Sequence, residues 1–166
     1  MRVSYDWLKT MIDIPEDPKT LSDEYIRTGT EVEAIDTVGE SFDHVVTAKV
    51  LTKTPHPDSD HMYVCSVDVG DKNLDADGNP APLQIVCGAQ NFDHIVTAMI
   101  GAVLPGDVKI KKSKLRGVVS MGMNCSAREL GLGGDHSGIM ILPEDTPCGM
   151  PFAEYVGSSD TVLDCE

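Results

Sequence analysis

Met62-Tyr63-Val64-Cys65-Ser66-Val67-Asp68-Val69 alternates apolar and polar side chains through most of its length, the period of a strand with one face in a core. The polar stretch Asp71–Pro82 follows and contains Asp77-Gly78-Asn79, residues suited to a tight hairpin turn. Leu83-Gln84-Ile85-Val86-Cys87 then reads as a returning strand. The same texture continues outward in both directions. Val45–Thr54 reads as the strand before, and Val96–Ile100 and Ala102–Leu104 bracket Gly101 on the other side. Pro105-Gly106-Asp107 is a turn. Val108–Val119 reads as one further strand, with Val108 and Ile110 on one face and Lys109 and Lys111 on the other. Ser126 and Glu129 form a capping box for a turn or two of helix, and Ile139–Leu142 is a last short strand.

About five strands with uneven turns and one short helix predict a five-stranded OB-type barrel over residues 41–147. A Greek-key sandwich fits the same strands. Closure into a barrel would remove the exposed edges of strands that carry few gatekeeping charges.

The ends have a different texture. Ser4 is a natural N-cap for a helix through Trp7, Leu8 and Met11, whose spacing turns all three toward one core. Pro15 and Pro18 interrupt, and Thr20 with Asp23 reads as a capping box for a second helix ending before Gly29. Val32–Val38 is a strand. Beyond the barrel, Pro151–Tyr155 reads as a short helix and Thr161–Cys165 as a strand. Neither end strand has a partner nearby in sequence, so the two are expected to pair with each other. The fold class is mainly β with α+β: a barrel inserted in a small α+β unit made of residues 1–40 and 148–166, cut short at Glu166.

The net charge is −14, which taken alone disfavours nucleic acid. Its distribution reverses that reading. Lys109 to Arg128 holds six Lys or Arg and no acid, so the rest of the chain stands at −20. No stretch has the length and apolarity of a membrane span or a signal-peptide core, and the five Cys form no Cys-x-x-Cys pair. A cytoplasmic protein with free buried thiols is expected.

Three clusters invite chemistry. His56-Pro57-Asp58-Ser59-Asp60-His61 is rich in metal-ligand types, but its spacing matches no common zinc pattern, so it is read as a polar turn. Cys87, at a strand end before Gly88, would need a neighbour such as His94 or His136 to act as a nucleophile, and is read as a buried thiol. Nearby Asn91 either faces a ligand or caps a loop. Lys109-Ile110-Lys111-Lys112-Ser113-Lys114-Leu115-Arg116-Gly117 is the third cluster, and it runs into the hydroxyls and short helix of Ser120–Ser126. Hydroxyls and helix N-termini suit phosphate oxygens. The candidate RNA contacts are therefore Asn91, Lys109, Lys111, Lys112, Lys114, Arg116, Ser120 and Ser126. The basic stretch contains no aromatic residue to stack bare bases, which points to a folded RNA and away from DNA. No phosphate-binding glycine loop for ATP is present.

Val3-Ser4-Tyr5-Asp6-Trp7-Leu8 and Thr28-Gly29-Thr30-Glu31-Val32-Glu33 resemble the N-terminus of bacterial phenylalanyl-tRNA synthetase β subunits. The middle resembles their EMAP-II-like, tRNA-binding OB domain. That likeness rests on His56-Pro57-Asp58 through Val64–Gly70, Gln84–Asn91, Gly101–Gly106, and Lys109–Ser126 with its Lys-Leu-Arg-Gly core. It continues through Glu129-Leu130-Gly131-Leu132 and His136-Ser137-Gly138-Ile139-Met140. The chain departs from the family at Ser59 and His61, where Ala and Lys are common, and in the long acidic loop Asp71–Pro82.

The resemblance implies an α2β2 ligase that joins phenylalanine to tRNA-Phe using ATP and Mg²⁺. Aminoacylation would lie in the α subunit and editing in a later β domain. On that reading this chain is an N-terminal tRNA-binding and assembly piece with no catalytic residue, metal or cofactor of its own. Its partners would be tRNA-Phe and the α subunit. A free-standing tRNA-binding OB protein and a purely structural docking module remain alternatives, the latter suggested by the net charge.

Overall fold

The computed structural model describes residues 1–39, 42–157 and 159–166. The chain forms two compact units, Met1–Ser41 with Gly157–Glu166, and Phe42–Val156 between them in sequence. The expected junction at residues 40 and 41 lies outside the described residues. Residues 148–156, assigned from sequence to the chain-end unit, fall in the larger one.

The smaller unit begins with β1 (Arg2–Ser4), α1 (Tyr5–Met11), α2 (Pro18–Thr28) and β2 (Val32–Gly39). The Ser4 hydroxyl caps α1 by accepting from the Trp7 N–H at 2.9 Å. The expected core-facing stripe does not form. Trp7 and Met11 are 56% and 63% exposed, and a helix of seven residues in so small a unit is covered along only part of its apolar face. The start of α2 also differs from expectation. Asp17, not Thr20, is the cap, accepting from the Lys19 and Thr20 N–H groups at 2.9 and 3.1 Å. Pro18 then fills the first turn, where its missing N–H costs nothing. The Thr20 N–H holds the Asp17 carboxyl below its usual range. Gly29, at φ 99°, supplies the left-handed residue that ends the helix.

The larger unit contains β3 (Val45–Pro55), β4 (Tyr63–Asp68), β5 (Leu83–Cys87), β6 (His94–Met99), β7 (Val103–Leu104), β8 (Val108–Lys109), β9 (Ser113–Leu115), β10 (Val118–Ser120), β11 (Gly122–Asn124), β12 (Ile141–Leu142) and α3 (Phe152–Val156). β13 (Ser159–Cys165) returns to the smaller unit. There it is the central strand, antiparallel to β2 on one side and β1 on the other, with Leu163 opposite both Ile35 and Val3. The expected pairing of the chain ends is present, and β1 joins it as a third strand.

In the larger unit the strands run β11-β6-β3-β4-β5, all neighbours antiparallel, with β12 added on β6. The first half of β3 pairs with β6 and the second half mainly with β4, and a register shift between Val50 and Thr52 marks the change. The open edge of β5 then meets the segment from β10 to β11. The Met121 N–H donates to the Gln84 carbonyl at 2.8 Å, and the Gln84 side chain donates to the Val119 carbonyl at 2.8 Å. The sheet is thereby a nearly closed five-stranded antiparallel barrel, as expected.

Two apolar clusters fill the unit. One gathers Val67, Ile85 and Ile95, and the other Val96, Leu130 and Phe152, all at or near zero exposure. Phe152 explains why α3 belongs here. Its ring meets Phe42 edge-on at 5.0 Å and stacks on Tyr155 at 6.1 Å.

The expected single strand Val108–Val119 is corrected to three. Ile110 leaves the ladder after β8, buries its side chain and exchanges backbone bonds with Gly101 and Ala102. β9 and β10 then form a hairpin whose turn is Arg116-Gly117, at φ 44° and 87°. Two successive positive φ angles let a two-residue turn match strand twist.

Candidate nucleic-acid interface

The basic stretch lies on β8, the following loop and the β9–β10 hairpin. Ile110 is the inward anchor, while Lys109, Lys111, Lys112, Lys114 and Arg116 are all exposed. None of these five pairs with a carboxylate among the described residues. Their charge is therefore available to an anion from solution.

The hairpin tip is tied to the turn between β3 and β4. His56 is 4% exposed, its Nδ1 accepts from the Asp58 N–H at 3.0 Å, and its Nε2 lies 2.9 Å from the Leu115 carbonyl. A carbonyl can only accept, so Nε2 carries the proton. Both ring nitrogens are thus engaged by the protein itself, which gives the His56–His61 stretch an architectural role. Arg116 reaches across from the hairpin and donates to the Asp58 carbonyl at 2.8 Å. The sequence reading did not find this tie. His56 and Leu115 lie far apart in sequence, and no local pattern announces the contact.

The other candidates have different placements. Ser120 is 1% exposed, and its hydroxyl accepts from the Val86 N–H and donates to the Gly122 carbonyl, each at 3.0 Å. Ser126 is buried, and Glu129 accepts from both its N–H and its hydroxyl, at 2.6 and 2.8 Å. That is the side-chain pattern of the expected capping box, but the segment it opens, Ala127–Gly131, is a hydrogen-bonded turn and not the expected helix. Asn91 donates to the Ile139 carbonyl at 2.9 Å and accepts from the Ile139 N–H at 3.2 Å, the pattern of a loop cap. Its polar atoms sit so close to Gly138 that a Cβ there would lie 2.4 Å from Asn91 Oδ1. The structure thus leaves the five cations exposed and engages Asn91, Ser120 and Ser126 in the framework.

A cleft of about 740 Å³ opens between the end of β5, the turn before β8, and the segment from β11 to Ile139. Cys87, Asn124, Arg128, His136 and Ser137 are among its walls. It brings Cys87 and His136 to one place, but no hydrogen bond joins them. Burial pushes the Cys87 thiol above its ordinary value, opposite to the activation a nucleophile needs. Deeper in the barrel, burial pushes Cys65 up to about 11 and Cys125 up to about 12. His94, the other candidate, faces Asp93 at 3.2 Å. Sequence reasoning did not single out Asn124 or Arg128, because nothing local shows that the turn after Ser126 and β5 face one space.

No helix is long and apolar enough to cross a membrane among the described residues. Residues 45–151 match the family model described as "Putative tRNA binding domain". Over 99% of its length the chain is 45% identical to the phenylalanine–tRNA ligase β subunit of Geobacter metallireducens. The β subunits of the same name from Fusobacterium nucleatum and Coxiella burnetii are 43% and 40% identical over the whole chain. The chain spans about a fifth of the length of these curated relatives, 20% of each. With its matched region covering nearly the whole barrel unit, the chain belongs to the tRNA-binding domain family.

Proposed function

We propose that this chain is the N-terminal tRNA-binding and assembly module of a phenylalanine–tRNA ligase β subunit, working in the cytoplasm on tRNA-Phe within an α2β2 assembly. The observation that carries the reading is the basic stretch with five exposed cations, none paired with a carboxylate among the described residues, in a barrel of the tRNA-binding family. Lys109, Lys111, Lys112, Lys114 and Arg116 would contact phosphates, with His56 and the Asp58 carbonyl holding the hairpin that presents them. Asn91, Ser120 and Ser126 would support the surface from within. The likeness to ligase β subunits across nearly the whole chain supports the assignment to that enzyme. ATP and Mg²⁺ would act elsewhere in it. Among the described residues no group of three or more His, Cys, Asp or Glu is placed to hold a metal ion.

A salt titration of tRNA binding tests the proposal. Each phosphate contact contributes a log–log slope of about −0.7 to −0.9, so a cluster of such contacts makes affinity fall steeply with salt. Lys111→Glu with Lys114→Glu, which leaves the anchoring Arg116 in place, should flatten that slope by about two contacts. One observation favours a second reading: the net charge of −14 suits a module that docks on its own enzyme and barely touches RNA. Absence of measurable tRNA binding at low salt would decide for docking.

A further inference from the structure

The basic stretch has no aromatic residue, but the fold assembles a pair beside the turn that ties its hairpin. Tyr63, at the start of β4, and Phe92, just before β6, meet edge-on with ring centroids 5.6 Å apart. Lys53 of β3 holds its Nζ 4.7 Å from the Tyr63 centroid and 4.5 Å from that of Phe92. Both rings pack on the cluster that contains Cys65 and Ile139, and both keep part of their surface in solvent. Lys53 is exposed and pairs with no carboxylate among the described residues. The Tyr63 hydroxyl donates to Gln90 Oε1 at 3.1 Å, which fixes the ring's orientation.

Core packing accounts for the buried part of each ring, and not for an ammonium shared between two aromatic faces at the surface. An exposed ammonium on a ring is a weak contact, and a nucleic-acid base stacked on the same ring is a stronger one. Lys53 can therefore yield the ring faces to a base and keep its charge beside the phosphate. Hydrogen bonds join this place to the basic hairpin. The turn between β3 and β4 is closed at its base by the His56 N–H, which donates to the Met62 carbonyl at 2.9 Å, immediately before Tyr63. The same turn meets the Leu115 carbonyl through His56 Nε2 at 2.9 Å and receives Arg116 on the Asp58 carbonyl at 2.8 Å. Tyr63 follows Asp58 by five positions, so their Cα atoms lie at most about 18 Å apart. That is within the run of about 4–16 nucleotides that one OB barrel can track.

We propose that Tyr63 and Phe92 form a stacking site for one unpaired base of a bound RNA, with Lys53 at the adjoining phosphate. This rests on the RNA-binding reading above and adds base contact to what would otherwise be phosphate contact alone. On that reading the partner that reaches this turn through Arg116 is itself an array of flat rings and phosphates, which is what paired aromatic rings and an ammonium bind.

The test is ultraviolet cross-linking of the whole chain to an unmodified tRNA-Phe transcript, with the linked peptides mapped by mass spectrometry, alongside gel shifts over a range of salt. A cross-link at Tyr63 or Phe92 is expected. Tyr63→Leu with Phe92→Leu keeps apolar side chains against the core and removes the stacking faces. It should lower tRNA affinity about tenfold with an unchanged salt slope. Lys53→Gln should instead flatten the slope by about one contact. The cross-link needs no variant, so it decides even where the double variant fails to fold. Full tRNA affinity in the folded double variant, or cross-links confined to other residues, overturns the stacking site and leaves the phosphate-binding module intact. The rings would then serve barrel packing or a protein partner. Failure of the unaltered protein to bind tRNA at low salt overturns that module and the stacking site with it.

Discussion

The larger unit of this protein is built around a closed core, and the smaller one around a single strand. In the barrel, Val67, Ile85, Ile95, Leu130 and Phe152 have almost no exposure, and they come from strands, from the turn after Ser126 and from α3 alike, with Val67 and Ile95 on strands that pair with neighbours on both sides. In the smaller unit the buried apolar residues among those described are Ile14, Leu163 and Cys165, while Trp7, Met11, Ile12 and Ile26 stand exposed. Leu163 and Cys165 belong to β13, which reaches its place after the entire barrel has intervened in sequence. The barrel therefore owes its cohesion to many contacts distributed round a ring. The smaller unit owes its cohesion to a few contacts concentrated on one late segment.

The strongest way to break this comparison is to remove that segment. Deleting Asp160–Glu166 takes the centre out of the three-stranded sheet. Residues 1–39 should become readily cleaved in limited proteolysis, while the main thermal transition of the barrel persists. A unit that stayed resistant without β13 would show that the contrast is misplaced. Phe152→Ala attacks the other side. It should cost the barrel about 3–5 kcal/mol in denaturant unfolding, since a fully buried aromatic ring leaves a cavity. A loss under 1 kcal/mol would mean that the segment 148–156 is not part of the barrel's folding unit.

Ser126→Ala is a milder test, removing half of a closed capping box, and should cost about 1 kcal/mol. The smallest effect expected is chemical. Cys65 and Cys125 have thiols raised to about 11 and about 12 by burial, so each stays protonated at pH 8 and forms thiolate only as pH approaches those values. Neither should react with iodoacetamide in the folded protein at pH 8, and both should react once denaturant opens the barrel. Rapid native labelling, read by peptide mass mapping, would show that the core opens far more often than its packing suggests.

Much of this architecture was legible in local pattern. The alternation in Met62–Val69 and Leu83–Cys87 located paired strands, Asp77-Gly78-Asn79 marked the polar connection, and Ser4 and Gly29 marked helix ends. These signals are visible because side-chain period and backbone preference act within a few residues. The misreadings share one cause. Val108–Val119 kept the alternation of one strand, but Ile110 found a better place beneath it and Arg116-Gly117 turned the chain back. Thr20 looked like a cap because the Asp17-Pro18 start competed with it only a few residues earlier. Trp7 and Met11 have the spacing of a buried stripe, yet whether a stripe is buried depends on what the fold brings against it.

The same division runs through the site. That this chain carries a concentrated basic stretch in an acidic background, on antiparallel β structure, was determined by the amino-acid order alone. Charge and period are properties of neighbours in sequence. Which of those residues face outward was decided by the tertiary structure. Only there does His56 meet Leu115, Asn91 close on Ile139, and the Thr97 hydroxyl reach Asn124. Each of those contacts joins segments that lie far apart along the chain, and hydrogen-bond satisfaction can be judged only after the chain has folded.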